Sequence, residues 1–400
     1  MKILFLSLSR IDDLNKRGIY SDLLRCFHRK GHDIYAAFPY ERKYKLHTSL
    51  KNEERFHALG IKTLNITKTN FVEKGIGTIL LEFQFSKQIN RYWGSENFDL
   101  ILFATPPTSF NSVVKQVKKR SGAMVYLLQK DFFLQGAVDL GVIKKDSLIY
   151  KYFRRQEDQL YKIVDYVGCM SQANVNFVLQ HNPSLNPTKV EVCPNSIELV
   201  KFPDYEERDM VLQKYGIPIN IPIFMYGGNL GMPQGIDFLI KVLESNRNRK
   251  DVFFVVIGSG THLNKLLKWQ EINKPINVLI RSALPKKDYD ALAKCSDVGL
   301  IFLDYRFTEP NFPSRLLSYL ENRKPILLAT DPCTDVGSVV TSNGIGFHSL
   351  SNDINAFNEN LNRLLSEKDR WEEMGENGYK LLCRDYLVEH SYQIIMNHFK

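Results

Sequence analysis

Two stretches of this sequence hold residue types that can take hold of a phosphate. In the first, Gly227-Gly228-Asn229-Leu230-Gly231 follows an apolar run and leads through Gln234-Gly235 into a helical pattern at 236–243. Glycines at such a place let backbone N–H groups face an anion, and a helix start adds positive potential. Gly258-Ser259-Gly260 follows the next apolar run in the same way. In the second stretch, Phe312-Pro313-Ser314-Arg315-Leu316-Leu317-Ser318 reads as the opening of a helix with Ser314 near its cap. A helix start with a serine and an arginine makes a cradle for a diphosphate. The plainer readings are tight turns at strand ends and a capped helix with a solvated arginine.

A third candidate is Gln129-Lys130-Asp131, which ends an apolar run at 123–128. An acid at the carboxyl end of a parallel strand can orient a substrate hydroxyl; a helix-cap or turn aspartate is the alternative. Arg17-Gly18, after the first apolar run, falls on the same edge. A nicotinamide-type fingerprint needs G-x-G-x-x-G and a later acid. Gly258-Ser259-Gly260-Thr261-His262-Leu263 lacks the third glycine, and the strand at 277–280 is followed by Arg281 rather than an acid. No P-loop, zincin or nucleophile-elbow motif occurs. The nine histidines show no ligand spacing and the six cysteines form no C-x-x-C, so no metal site is expected.

These residues need a scaffold of alternating strands and helices. Strand patterns at 2–8, 33–38, 61–66, 98–104, 123–128, 166–170 and 190–192 alternate with helical ones at 19–28, 72–93, 111–120, 146–164 and 173–181. The rhythm breaks over 197–221 and restarts with strands at 223–226, 252–257, 277–280, 298–303, 325–329 and 344–348. Such repetition builds parallel sheets. The reading divides the chain into domains at 1–200 and 201–385, with a last helical segment at 386–400 expected to cross back onto the first.

The chain has 400 residues, 44% hydrophobic and 24% charged, a balance that excludes a mainly disordered or fibrous protein. Residues 1–200 hold 29 Lys+Arg against 19 Asp+Glu, a net of +10, whereas 201–400 hold 24 against 25. A basic half suits phosphates, nucleic acid or an anionic membrane surface. Nucleic acid is disfavoured, because no basic–aromatic reader motif is present. No run reaches the roughly 18 apolar residues of a membrane span, and the start lacks a secretion signal, so a cytoplasmic location is expected. Within 72–93, Ile76, Leu80 and Phe83 fall at helical spacing. Such a stripe is usually core; flanked by Lys74, Lys87 and Arg91, it also fits a shallow membrane contact.

Taken in order, these motifs resemble a retaining GT-B glycosyltransferase of the large family 4, over nearly the whole chain. The resemblance is carried by Gly18 and Ser171, and by Val192-Cys193-Pro194-Asn195-Ser196-Ile197-Glu198, similar to the family's V-x-P-N-G-V-D. It continues through the 227–231 loop, Val256-Ile257-Gly258-Ser259-Gly260, Ser296–Leu300, Pro313–Pro325 and Met374-Gly375-Glu376-Asn377-Gly378. Asp131–Gly141 and Cys169–Asn174 resemble a narrower group that builds O-antigen and capsular polysaccharides, including its deoxy-amino-sugar (fucosamine-type) branch.

The resemblance implies an α/β fold of the GT-B kind: two facing Rossmann-like domains, each with a parallel sheet, the first binding acceptor and the second a nucleotide-sugar. It implies transfer of a hexose-type sugar from a UDP-sugar to a saccharide on undecaprenyl diphosphate, with retention of configuration. No cofactor or essential metal is implied, and the protein would sit peripherally at the inner face of the cell membrane. On this reading Arg315, Ser314 and the Gly228–Asn229 amides meet the leaving diphosphate. Arg281 with Gly258, Ser259 and Gly260 lies near base and ribose, Glu309 holds a ribose or sugar hydroxyl, and Lys130 and Asp131 serve the acceptor beside Arg17 and Gly18.

Three departures from the family pattern stand out. Of its two glutamates separated by seven intervening residues, the second position is Ser318 and the first is Pro310, beside Glu309. The usual cations near the Gly-Gly loop are Asn229 and Gln234, which leaves Arg306 and Arg315 to meet phosphate charge. The cleft histidine is replaced by Lys130, with Asp131 kept. The alternatives are a sugar-nucleotide epimerase or hydrolase of the same fold, and a UDP-sugar-binding subunit without catalysis.

Overall fold

Leu4 and Leu6 pack into one hydrophobic cluster while Ile3 and Phe5 pack into another, so the first strand is apolar on both faces. That two-sided burial marks a parallel sheet covered by helices above and below. The computed structural model describes residues 1–66, 71–108, 110–199 and 207–399, without the side chains of 71, 72, 74 and 75. The described chain forms two compact units, Met1–Glu198 with Leu387–Lys400, and Leu199–Tyr386. The sequence-derived division at 200/201 lies outside the described residues.

Unit 1 contains β1 (Lys2–Leu6), β2 (Asp33–Glu41), β3 (Ser49–Glu53), β4 (Phe56–Thr63), β5 (Leu100–Ala104), β6 (Met124–Gln129), β7 (Tyr166–Cys169) and β8 (Val190–Val192). They form one sheet in the order β3-β4-β2-β1-β5-β6-β7-β8. All its pairs are parallel except β3–β4. The strand expected at 61–66 is in fact β4, which starts five residues earlier and forms a hairpin with β3. Arg55 makes the reversal at a positive φ of 54°, and the mostly exposed Ser49–Glu53 gives no apolar signal.

The helix Ile19–Arg29 buries Leu23, Leu24 and Phe27. The helix Phe71–Trp93 inverts one expectation: its core stripe is Leu81, Phe85, Ile89 and Trp93, while Ile76, Leu80 and Phe83 are exposed. Both stripes have helical spacing, and the one carrying Phe85 and Trp93 meets the sheet. A short helix at Phe133–Asp139 was not expected. The helix Val388–Met396 packs on unit 1: Ile395 joins the cluster of Ile3, Phe5 and Phe27, Tyr392 lies 4.8 Å from Phe27, and Glu389 pairs with Arg29 at 2.8 Å.

Unit 2 contains β9 (Ile223–Asn229), β10 (Phe253–Ser259), β11 (Val278–Ser282), β12 (Val298–Phe302), β13 (Ile326–Thr330) and β14 (Gly346–Leu350), ordered β11-β10-β9-β12-β13-β14. Every pair is parallel. The stretch read as a rhythm break holds a helix, Arg208–Lys214, whose Arg208 bonds Asp297 at 3.0 Å; Lys201–Glu206 lie outside the described residues. No helix of the described chain is long and apolar enough to cross a membrane.

Candidate active site

In unit 2 the two glycine stretches meet because their strands are neighbours. Gly228 pairs with Gly258 and Asn229 with Ser259, so Gly227 and Gly228 belong to the end of β9 rather than to a loop after it. The backbones approach so closely that a Cβ on Gly258 would lie 1.9 Å from the Gly228 carbonyl oxygen. Gly228 itself has a φ of +128°, a conformation that only glycine adopts readily. The turn proper is Leu230–Gly235, tied to β10 by the Leu230 N–H to the Ser259 carbonyl at 3.0 Å.

Arg315 opens the helix Arg315–Glu321, which follows β12. Its guanidinium lies 4.4 Å from the centre of the Tyr226 ring on β9, and Nη2 donates to Gln234 Oε1. A Cβ on Gly228 would stand 3.6 Å from Nη2. Nη1 is buried and has no hydrogen-bond partner among the described residues. A cation held by a ring and an amide next to a bare glycine backbone, with its other terminal nitrogen unspent, is prepared for an anion. Gln234 thus serves as the anchor of Arg315.

The other expected donor-side residues are placed unevenly. Ser314 is at the cap position but makes no side-chain cap hydrogen bond; its φ of −63° and ψ of −17° are already helical, which turns its oxygen from the N–H groups. Ser314 is exposed and Ser318, one turn on, is half-buried. Glu309 is buried, at 3% exposure, in the segment between β12 and the Arg315 helix. Arg306 is committed to Asp304, through Nε and Nη2 at 2.8 Å each, so it offers less charge to a phosphate than the sequence suggested. Arg281, next to last in β11 and paired with Ile257, places its guanidinium 6.0 Å from the Tyr215 ring centre.

In unit 1, Lys130 and Asp131 follow β6 at the sheet's carboxyl edge. The Lys130 N–H donates to Thr105 Oγ1 at 3.1 Å, and its Nζ to the Cys193 carbonyl at 3.3 Å. Burial holds this ammonium below the usual lysine range. Asp131 is exposed by accessible area, yet the protein packed around it pushes its carboxyl above the usual range, with Lys130 pulling the other way. Tyr20 is raised by burial and by the Asp131 charge. Gly18 caps the helix Ile19–Arg29, its N–H donating to Asp22 Oδ1 at 3.1 Å; Arg17 is half-buried nearby in sequence. Lys130 and Tyr20 also line a small cavity with Asn195 and Ser196.

Against known proteins, residues 207–381 match the family described as Glycosyl transferases group 1. Two curated relatives extend over more of the chain. The probable glycosyltransferase WbjE of Pseudomonas aeruginosa is 25% identical over 72% of this chain and 70% of its own. The putative colanic acid biosynthesis glycosyl transferase WcaI of Escherichia coli K12 is 22% identical over 85% and 86%. Among solved structures, sucrose-phosphate synthase from Thermosynechococcus elongatus superposes with a TM-score of 0.75 at 14% identity, covering 100% of this chain and 98% of its own. HepE from Anabaena in complex with UDP gives 0.70 at 14%, covering 100% and 99%. The fold is GT-B, with two parallel-sheet α/β units.

Sequence reasoning missed three side chains of unit 2. Tyr226 underlies Arg315. Tyr289 fills the space over Gly227, where a Cβ would lie 2.1 Å from its hydroxyl. Tyr319 donates its buried hydroxyl towards the Met225 and Leu300 carbonyls, 2.8 and 3.2 Å away. Tyr226 could have been found, since it directly precedes the glycines, and so could Tyr319, one turn beyond Arg315 on the same helix; Tyr289 comes from a distant helix and carries no local signal.

Proposed function

We propose that the chain is a glycosyltransferase that moves a sugar from a UDP-sugar to a hydroxyl of a lipid-linked saccharide, an undecaprenyl diphosphate sugar of bacterial surface polysaccharide, with retention of configuration. The observation that carries the reading is the Arg315 arrangement: a fixed guanidinium whose Nη2 faces Gly228 and whose buried Nη1 is unspent. As the glycosidic bond breaks, negative charge grows on the leaving diphosphate, and preorganised donors stabilise that growth. The proposal calls on Arg315 and backbone N–H groups for this and invokes no resident metal. Glu309, Ser314, Ser318 and the Gly258–Gly260 segment are assigned to the donor, with Arg281 near the base.

The acceptor is assigned to unit 1. Asp131, at the carboxyl end of β6 with its carboxyl raised by its surroundings, is assigned to orient the attacking hydroxyl. Support for a UDP donor comes from HepE, whose structure holds UDP, and for polysaccharide synthesis from the name of WcaI. The deoxy-amino-sugar donor, the O-antigen or capsular product and family 4 membership rest on the sequence resemblance. A thermal-shift panel of UDP-, GDP- and dTDP-sugars, followed by product analysis with and without lipid-linked acceptor, tests the reading. Stabilisation by UDP-sugars and an acceptor-dependent product are expected. Stabilisation by none of the panel, or consumption of donor with no acceptor required, overturns it.

A further inference from the structure

The surface of unit 1 shows apolar side chains that its core does not use. On the helix Phe71–Trp93, Phe83 is 66% and Ile79 61% exposed, with Ile76 and Leu80 beside them. On the helix Leu148–Ile163, Leu148 is 85% and Ile149 59% exposed, with Tyr152 on the next turn and Val142 in the preceding loop. Scattered apolar residues are ordinary, but contiguous exposed ones mark a contact.

Hydrogen bonds place the two groups on one edge. The helix Asn111–Ser121 lies between their helices. Glu82, next to Phe83, accepts from the Ser112 N–H. Asn111 donates to the Gln156 carbonyl at 2.8 Å and to Gln156 Oε1 at 2.9 Å, one turn from Tyr152. Both groups therefore border the start of a helix that follows β5, at the carboxyl end of the strands. Lys130 and Asp131 follow β6, the neighbour of β5, on that same edge.

The charge around the edge is one-sided. Lys144, Lys145, Lys151 and Arg155 are exposed around the second group, against an exposed Asp146. Lys115 is exposed on the middle helix and Lys87 on the first, each one turn from the edge. The neighbouring acids Glu157 and Asp158 are held by Arg154 at 2.6 and 3.0 Å.

We propose that this edge docks on a lipid bilayer bearing anionic headgroups, with Leu148, Ile149 and Phe83 entering the interface and the lysines meeting phosphate. Apolar side chains ringed by lysine and arginine match such a surface in both hydrophobicity and charge. A second copy of the chain fits worse, because a two-fold contact would set the same cations against each other. The purpose of the docking rests on the proposed lipid-linked acceptor, whose anchor lies in that bilayer; its evidence does not.

The test is co-sedimentation of the full chain with vesicles free of donor and acceptor, either phosphatidylcholine alone or with about 30 mol% phosphatidylglycerol. The chain is expected to bind the anionic vesicles and to bind neutral ones weakly. In L148E/I149E the new acids fall in the first turn of a helix capped by Ser147, which favours negative charge, so folding is preserved. That variant is expected to lose about tenfold or more of its partition. K144E/K145E is expected to lose binding to anionic vesicles only. Absence of wild-type binding, or unchanged partition of L148E/I149E, overturns the proposal. So does a dimer in solution that L148E/I149E dissolves, because a second copy would then cover the edge. UDP binding measured on the same samples keeps the two readings apart: its loss with vesicle binding intact refutes the donor assignment alone.

Discussion

Replacing Arg315 by alanine removes the guanidinium from the Gly228 backbone and leaves Gln234 and Tyr226 without their common partner. Two costs follow, and they separate in the assay. Loss of the contact with Tyr226 costs stability, about 0.5–1 kcal/mol for a partly exposed cation over a ring. Loss of a preorganised donor for developing negative charge costs about 3 kcal/mol of transition-state stabilisation, or roughly 10²-fold in turnover. Release of UDP, followed continuously with donor and acceptor present, gives kcat and KM. If the charge met by Arg315 develops in the transition state, kcat falls; if the residue binds the diphosphate equally before and during reaction, KM rises instead. Arg315→Lys restores charge without the planar fork and is expected between the two. A folded Arg315→Ala protein with kcat/KM within about threefold of wild type would refute the reasoning, since the predicted donor term is far larger.

Other perturbations reach different parts of the molecule. Gly258→Ala puts a methyl 1.9 Å from the Gly228 carbonyl; forced separation of β9 and β10 is expected to cost about 1–3 kcal/mol, lowering the thermal midpoint, and an unchanged midpoint contradicts the close approach. Ile395→Ala empties a fully buried site beneath the returning helix and is expected to cost about 2–5 kcal/mol in chemical denaturation; a cost below ~0.5 kcal/mol shows that the helix does not support unit 1. Because its surroundings raise Asp131, it is protonated to a higher pH than an ordinary aspartate. The acid limb of kcat/KM is then expected above the ordinary aspartate range, near pH 4; Asp131→Asn should abolish that limb, and its persistence assigns the limb to another group.

Much of the scaffold could be read from the sequence because parallel strands are continuous apolar runs and their helices alternate with them. β1, β5, β6, β12 and β13 fall within a few residues of their expected places. The hairpin β3–β4 could not be read, because Ser49–Glu53 is polar and pairs only through its backbone. The exposed face of the Phe71–Trp93 helix was ambiguous for a different reason: two apolar stripes share one helix, and only the sheet decides which is covered. In the site, the nearness of Gly228 to Gly258 follows from strand order, which the motif order suggested. The hold of Gln234 and Tyr226 on Arg315 spans 81 residues or more, and neither residue type announces it. Asp304 was passed over as a partner for Arg306, although two residues separate them; the short spacing was visible, but the turn that brings the charges together was not.

The central claim is that Arg315 and the glycine backbone at the end of β9 receive a diphosphate. A crystal structure of the chain with bound UDP tests it most directly. The account predicts a phosphate oxygen within hydrogen-bonding distance of Arg315 Nη1 and lying against Gly228. A diphosphate bound elsewhere, with Arg315 still engaged only by Gln234 and Tyr226, would contradict it.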